Sequence, residues 1–98
     1  MRKDNIKKIA IDDAERLCIT PEKENFEFVY RSALEVHWDE KNLFLYSPKP
    51  REWTYFDWYK QILSASIDCG CELYITQDTI WINIPENLKK DILKFRIH

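Results

Sequence analysis

The sequence predicts an α+β fold: a mostly antiparallel sheet of hairpins with two helices packed on one face. Three observations carry that expectation. Apolar residues alternate with period two in short runs separated by polar connections, the pattern of half-buried strands. One strongly amphipathic segment follows Trp53 and has both a start and a stop signal. A second helical spacing, Leu88, Ile92 and Phe95, closes the chain. Strands, a helix, a strand pair and a helix, in that order, make an α+β protein.

The elements follow in chain order. Ile6, Ile9, Ala10 and Leu17 fit a helix, but Ile9 with Ile11 and Leu17 with Ile19 also alternate as strands. The acids of Asp12-Asp13-Ala14-Glu15 suit a turn between them, which favours a hairpin. Thr20 to Asn25 is polar, and Pro21 is expected to break the ladder. Phe26, Phe28 and Tyr30 alternate with Glu27, Val29 and Arg31 as a further strand. Leu34, Val36 and Trp38 form the next strand, joined through Asp39-Glu40-Lys41-Asn42 to Leu43 and Leu45.

The helix after Trp53 is the clearest local signal. Thr54 is a good N-cap, and Asp57 completes a capping box near the positive end of the helix dipole. Trp53 and Trp58 are placed to form a hydrophobic staple, and Gly70 supplies a left-handed C-terminal cap. Leu73 and Ile75, then Ile80, Ile82 and Ile84, predict a hairpin about Thr76-Gln77-Asp78-Thr79. Pro85 opens the closing helix, whose last turn carries Lys94 and Arg96.

The 98 residues, 11.9 kDa, suit a single domain spanning 1–98, because no repeat, low-complexity tract or Gly/Ser linker divides them. A mean hydropathy of −0.52 and the lack of a long apolar run argue against a membrane helix. The charged opening, Met1 to Lys8, leads into no signal-peptide stretch, so a cytoplasmic protein is expected. One glycine, Gly70, is too few for a Gly-rich phosphate loop. Three cysteines, Cys18, Cys69 and Cys71, make no disulfide framework and read as free thiols. Cys69-Gly70-Cys71 lacks a second pair, and His37 and His98 lie far from it, so no metal or cofactor is expected.

The net charge of −2 is unevenly spread: residues 12–40 hold nine acids against three bases, while residues 1–8 and 89–98 each carry a net +3. An acidic body with basic ends lacks the contiguous basic surface of a nucleic-acid binder. It suits either an ordinary solvated face or a basic protein partner drawn by charge.

Two features mark candidate binding residues. If Ile80, Ile82 and Ile84 face the core, Trp81 and Asn83 face away, as does Tyr74 on the preceding strand. With Phe44, Tyr46 and His37 they would form an aromatic sheet face. That face is either buried within the chain or a homodimer, or it recognises another molecule. The second feature is Ser47-Pro48-Lys49-Pro50-Arg51-Glu52-Trp53. Its prolines stiffen the chain, Lys49 and Arg51 stand just before a helix N-terminus, and Trp53 is a candidate anchor. The simpler alternative is a rigid connection with solvated bases.

Catalytic patterns are weak. His37, flanked by Glu35 and Asp39, is the one arrangement resembling an oriented base, and a strand histidine is more often structural. Asp12, Asp13 and Glu15 lack the glycine and ligand spacing of a calcium loop. No enzyme is expected.

The segments Ser47 to Leu63, SPKPREWTYFDWYKQIL, and Ile75 to Leu93, a hairpin bearing TIWINIPENLKKDIL, together resemble small bacterial proteins carried on mobile DNA. The resemblance is to the integron-cassette and toxin-immunity kinds and covers roughly residues 16–95. It implies a cytoplasmic, non-enzymatic and often oligomeric protein, and it transfers no functional residue. Two functions follow: a protein-binding accessory module, immunity- or antitoxin-like, or a homo-oligomeric small-ligand binder with an aromatic pocket near Arg51.

Overall fold

The structure, a computed structural model, describes residues 1–32 and 34–95. The chain runs β1 (Arg2–Ile11), β2 (Leu17–Pro21), a 3-10 turn (Val29–Ser32), β3 (His37–Asp39), β4 (Phe44–Tyr46), α1 (Tyr55–Asp68), β5 (Cys71–Ile82) and α2 (Glu86–Lys94). Arg96 and His98 lie outside the described residues. The five strands form one sheet in the order β3-β4-β2-β1-β5. Neighbours are antiparallel except β1 and β5, which are parallel. The sheet is therefore mixed but mostly antiparallel, and the fold is α+β.

Carboxylates close both hairpins. Asp12 Oδ1 accepts the backbone N–H groups of Ala14 and Arg16 at 3.0 and 2.9 Å, and Glu15 turns the chain at φ 62°. In the β3–β4 turn, Asp39 Oδ1 accepts from Lys41 and Asn42 at 3.0 and 2.9 Å. The connection there is residues 40–43, one residue later than the sequence suggests, because Leu43 takes a left-handed φ of 60°.

The helix reading holds in detail. Thr54 caps α1 and forms the reciprocal capping box with Asp57, and Gly70 follows the helix at φ 86°. The rings of Trp53 and Trp58 lie 4.8 Å apart, completing the staple. Leu88 and Ile92 of α2 are buried, and Phe95 meets Phe56 and Tyr59 of α1 edge-on at 5.8 and 6.2 Å. Both helices share the core with Ile6, Ile9, Leu17, Ile19, Leu45 and Leu73, which defines one covered face of the sheet.

Four expectations are corrected. Residues 26–30 form no strand: Val29 N–H bonds the Phe26 carbonyl at 3.0 Å, and these two side chains are buried. Their spacing of three is that of a 3-10 turn, so Phe28 and Tyr30 point outward instead. β2 runs two residues into the expected connector: Thr20 and Pro21 stand opposite Lys8 and Ile6, and the strand ends at Pro21. The supposed 34–38 strand shortens to His37–Asp39.

The fourth correction matters most. Residues 71–82 are one strand parallel to β1, with no hairpin, and Thr76 to Thr79 lie in an irregularity. Between the pairs Ile6–Ile75 and Lys8–Ile80, β5 advances five residues while β1 advances two. Beyond it Trp81 stands opposite Ile9, on the helix-covered face, and packs against the core. Ile80 and Ile82 point the other way, 50% and 42% exposed.

Candidate functional site

Each side of the loop 47–53 is tied down before it reaches α1. Ser47 is fully buried; its hydroxyl accepts Leu17 N–H at 3.1 Å and donates to the Pro48 carbonyl at 2.8 Å. Lys49 Nζ pairs with the Glu15 carboxylate, which holds the ammonium above its ordinary pKa. Tyr55 of α1 donates its hydroxyl to the Glu15 carbonyl oxygen at 2.9 Å. The β1–β2 turn therefore anchors both the loop and the helix start, and Thr54 with Asp57 fixes the first helical turn.

This scaffold shapes a cleft of about 520 Å³, lined by Glu35, Pro48, Lys49, Arg51, Glu52, Trp53 and Trp58. Trp53 is 44% exposed and lies on the buried Trp58. The Trp58 indole N–H is buried and has no acceptor among the described residues. Among the described residues Arg51 has no ion-pair partner, while Lys49 is already engaged. Glu35 sits at a left-handed φ of 60° at the cleft wall. Outside glycine that conformation stores strain, a feature that collects at functional sites.

Lys49, Arg51 and Trp53, selected from sequence, thus come together. The other candidates do not join them. Trp81 is half-buried on the helix-covered face, with Lys89 Nζ 5.1 Å from its ring centroid. Tyr74 faces outward on β5 beneath Lys3, at 5.8 Å, with β1 and β2 between it and β4. Asn83, at φ 56°, bonds the Ile11 carbonyl at 3.3 Å. His37 and Tyr46 do meet, with ring centroids 5.3 Å apart, and Arg16 covers the tyrosine at 4.4 Å. The expected aromatic face therefore splits, because the β5 irregularity sends Trp81 inward.

Two further residues of the cleft were hidden in the sequence. Trp58 reads there as a staple and core residue, and its place at the cleft wall depends on the loop's path. Glu35 belongs to a segment that reads as a strand. A second cleft, about 540 Å³, is lined by Phe26, Phe28, Arg31, Asp68 and Cys69 among others. Beside it Phe28 and Tyr30 are 56% and 65% exposed, with the Arg31 guanidinium over both rings. The spacing of Phe26 and Val29 is the only sequence signal that would have turned those rings outward.

The remaining carboxylates and thiols of reactive type are otherwise occupied. Asp39, beside His37, spends its carboxylate on its own turn and keeps a lowered pKa, chiefly through the Asn42 N–H. Burial, and then the Asp12 charge, push the Cys18 thiol up to about 12. Burial raises Cys69 and Cys71 as well, so all three remain protonated thiols near neutrality. Among the described residues, no group of three His, Cys, Asp or Glu side chains is placed to hold a metal ion. No helix among them is long and apolar enough to cross a membrane.

The family model of the integron cassette protein Hfx_Cass5 matches residues 4–79. The chain belongs to the Hfx_Cass5 family of integron cassette proteins. A solved cassette structure agrees: "Structure from the mobile metagenome of North West Arm Sewage Outfall: Integron Cassette Protein Hfx_Cass5". That protein is 37% identical, with 94% of this chain and 93% of that chain covered, at a TM-score of 0.51. No curated protein matches the chain. The matched span of the cassette family model takes in the whole 47–53 loop and α1, and ends within the β5 irregularity.

Proposed function

We propose that this cassette protein is a non-catalytic binding protein whose Arg51–Trp53–Trp58 cleft takes a small monoanion bearing a flat apolar group. The carrying observation is an exposed Trp53, packed at a tilt against a buried Trp58, in the same cleft as an arginine with no acid partner among the described residues. An unpaired guanidinium suits a carboxylate, which it can bind through two parallel hydrogen bonds. The indole face suits a ring or other flat apolar body. The cleft volume lies in the range of small-molecule sites. Glu35 and Glu52 on its walls disfavour polyanions and leave one negative charge as the best match.

Phenylacetate is a suitable probe, followed through tryptophan emission. Saturable quenching that disappears in Arg51→Ala and Trp53→Ala supports the reading. No saturable change up to about 10 mM, a binding free energy weaker than ~3 kcal/mol, would overturn it.

A second reading, a protein-binding module of the immunity or antitoxin kind, is favoured by the exposed Phe28–Tyr30–Arg31 ridge. Tyrosine and arginine are enriched among residues that anchor protein interfaces. The acidic run 12–40 supports it less, since Asp12, Glu15, Glu24 and Asp39 serve contacts inside the chain. If this reading holds, Tyr30→Ala weakens partner capture while Arg51→Ala leaves it unchanged.

A further inference from the structure

We propose that the outer edge of β5, at Thr79 to Ile82, is a self-association surface that pairs antiparallel with the same segment of a second copy. The proposal is independent of the cleft at Arg51. β5 is the last strand of the sheet, with β1 on one side and, among the described residues, no strand on the other. Its outer backbone groups form an open ladder, which natural edges normally guard with charge, proline or brevity. The Thr76–Thr79 irregularity guards the middle of β5, and Glu72 and Asp78 bring negative charge to its first part. The run Thr79-Ile80-Trp81-Ile82-Asn83 has neither charge nor proline.

Chemistry at this edge points to a second copy. A two-fold pairing centred on Trp81 sets Ile80 of one chain opposite Ile82 of the other, and the reverse. Both are among the most exposed large aliphatic side chains among the described residues. A pairing centred further back would bring Glu72 and Asp78 toward their own counterparts in a chain already net negative. On that face the small side chain of Ala10 stands opposite Ile82, and Cys18 follows in the same row. Asn83, just past the strand, gives its side-chain N–H to the Ile11 carbonyl on the β1 side. Isologous strand pairing also satisfies the free backbone groups of both copies in one step.

Light scattering across a wide concentration range tests this. The expected result is twice the 11.9 kDa chain mass at tens of micromolar, with dissociation on dilution. Ile80→Lys and Ile82→Lys put like charges across the two-fold and should each weaken self-association by about 100-fold. Both positions are already exposed, so circular dichroism of the variants should match the parent. Leu43→Lys, at a residue 47% exposed in the β3–β4 turn, is the control and should leave the mass unchanged. Amide exchange at residues 79–82 should be slower in the parent than in Ile82→Lys. A monomer at every concentration, or a dimer that survives both lysine substitutions, overturns the proposal.

Discussion

The Thr79 hydroxyl donates to the Ile6 carbonyl oxygen at 2.7 Å and so joins β5 to β1 across the irregularity in their ladder. The Thr79 hydroxyl oxygen in turn accepts the Thr76 N–H at 3.0 Å. One buried side chain thereby satisfies two backbone groups that the interrupted ladder leaves without strand partners. On one side of this point Leu73 and Ile75 face the core; on the other Trp81 does, and Ile80 and Ile82 face out.

Thr79→Val keeps the shape and removes both bonds. Two buried polar groups are then orphaned, which costs about 1–3 kcal/mol for each. Urea unfolding should show a midpoint lowered accordingly, and Thr79→Ser should recover most of the loss. A Thr79→Val midpoint equal to that of the parent would show that the hydroxyl is dispensable.

At the start of α1, Thr54→Ala should cost roughly 1 kcal/mol, the usual loss for an N-cap. The Asp57 carboxyl is held below its ordinary pKa, first by the Thr54 N–H and then by the Thr54 side chain. A lowered folded pKa stabilises above the unfolded value of 3.8 and is lost as pH falls through the folded value. The stability deficit of Asp57→Ala should therefore shrink on acidification below about pH 4, measured by urea midpoints.

Asp4 is buried, and one of its oxygens accepts Lys23 and Glu24 N–H at 2.8 and 2.9 Å. It pins the segment after β2 against β1. Asp4→Ala should cost about 2–4 kcal/mol, because hydrogen bonds to a charged group are worth more than neutral ones. Thermal unfolding would register the loss, and proteolysis within residues 22–27 should accelerate.

Cys18 gives a test at high pH. Its folded pKa, about 12, lies above the reference 9.0, so the fold favours the protonated thiol. That contribution is present below pH 9 and fades as pH rises from there toward the folded value. Cys18→Ala should flatten the decline of stability between pH 9 and pH 11. In the native protein a thiol reagent should modify the half-buried Cys69 before the buried Cys18 and Cys71.

Legibility in the sequence followed the range of the interactions. Thr54, Asp57, Trp53, Trp58 and Gly70 lie within one short stretch and act on their own helix, so the capped α1 could be read directly. The acids of the two tight turns are equally local. Lys49, Arg51 and Trp53 were visible as a cluster because they share one loop. Their companions Trp58 and Glu35 were not, since only the packing of β1–β2 against that loop shapes the cleft.

Residues 73–84 show the opposite case. Polar Thr76-Gln77-Asp78-Thr79 between two apolar alternations has the local pattern of a hairpin turn. The turn is absent because β1, seventy residues earlier in the chain, offers the Ile6 carbonyl and a parallel edge. By itself the sequence determined the α+β class, the first hairpin, both helices and the loop that carries Arg51. Tertiary structure alone decided the parallel β1–β5 pairing, the inward Trp81 and the outward isoleucines. The reason is physical: a period of two gives a strand two faces, and only a distant neighbour can say which of them meets the core.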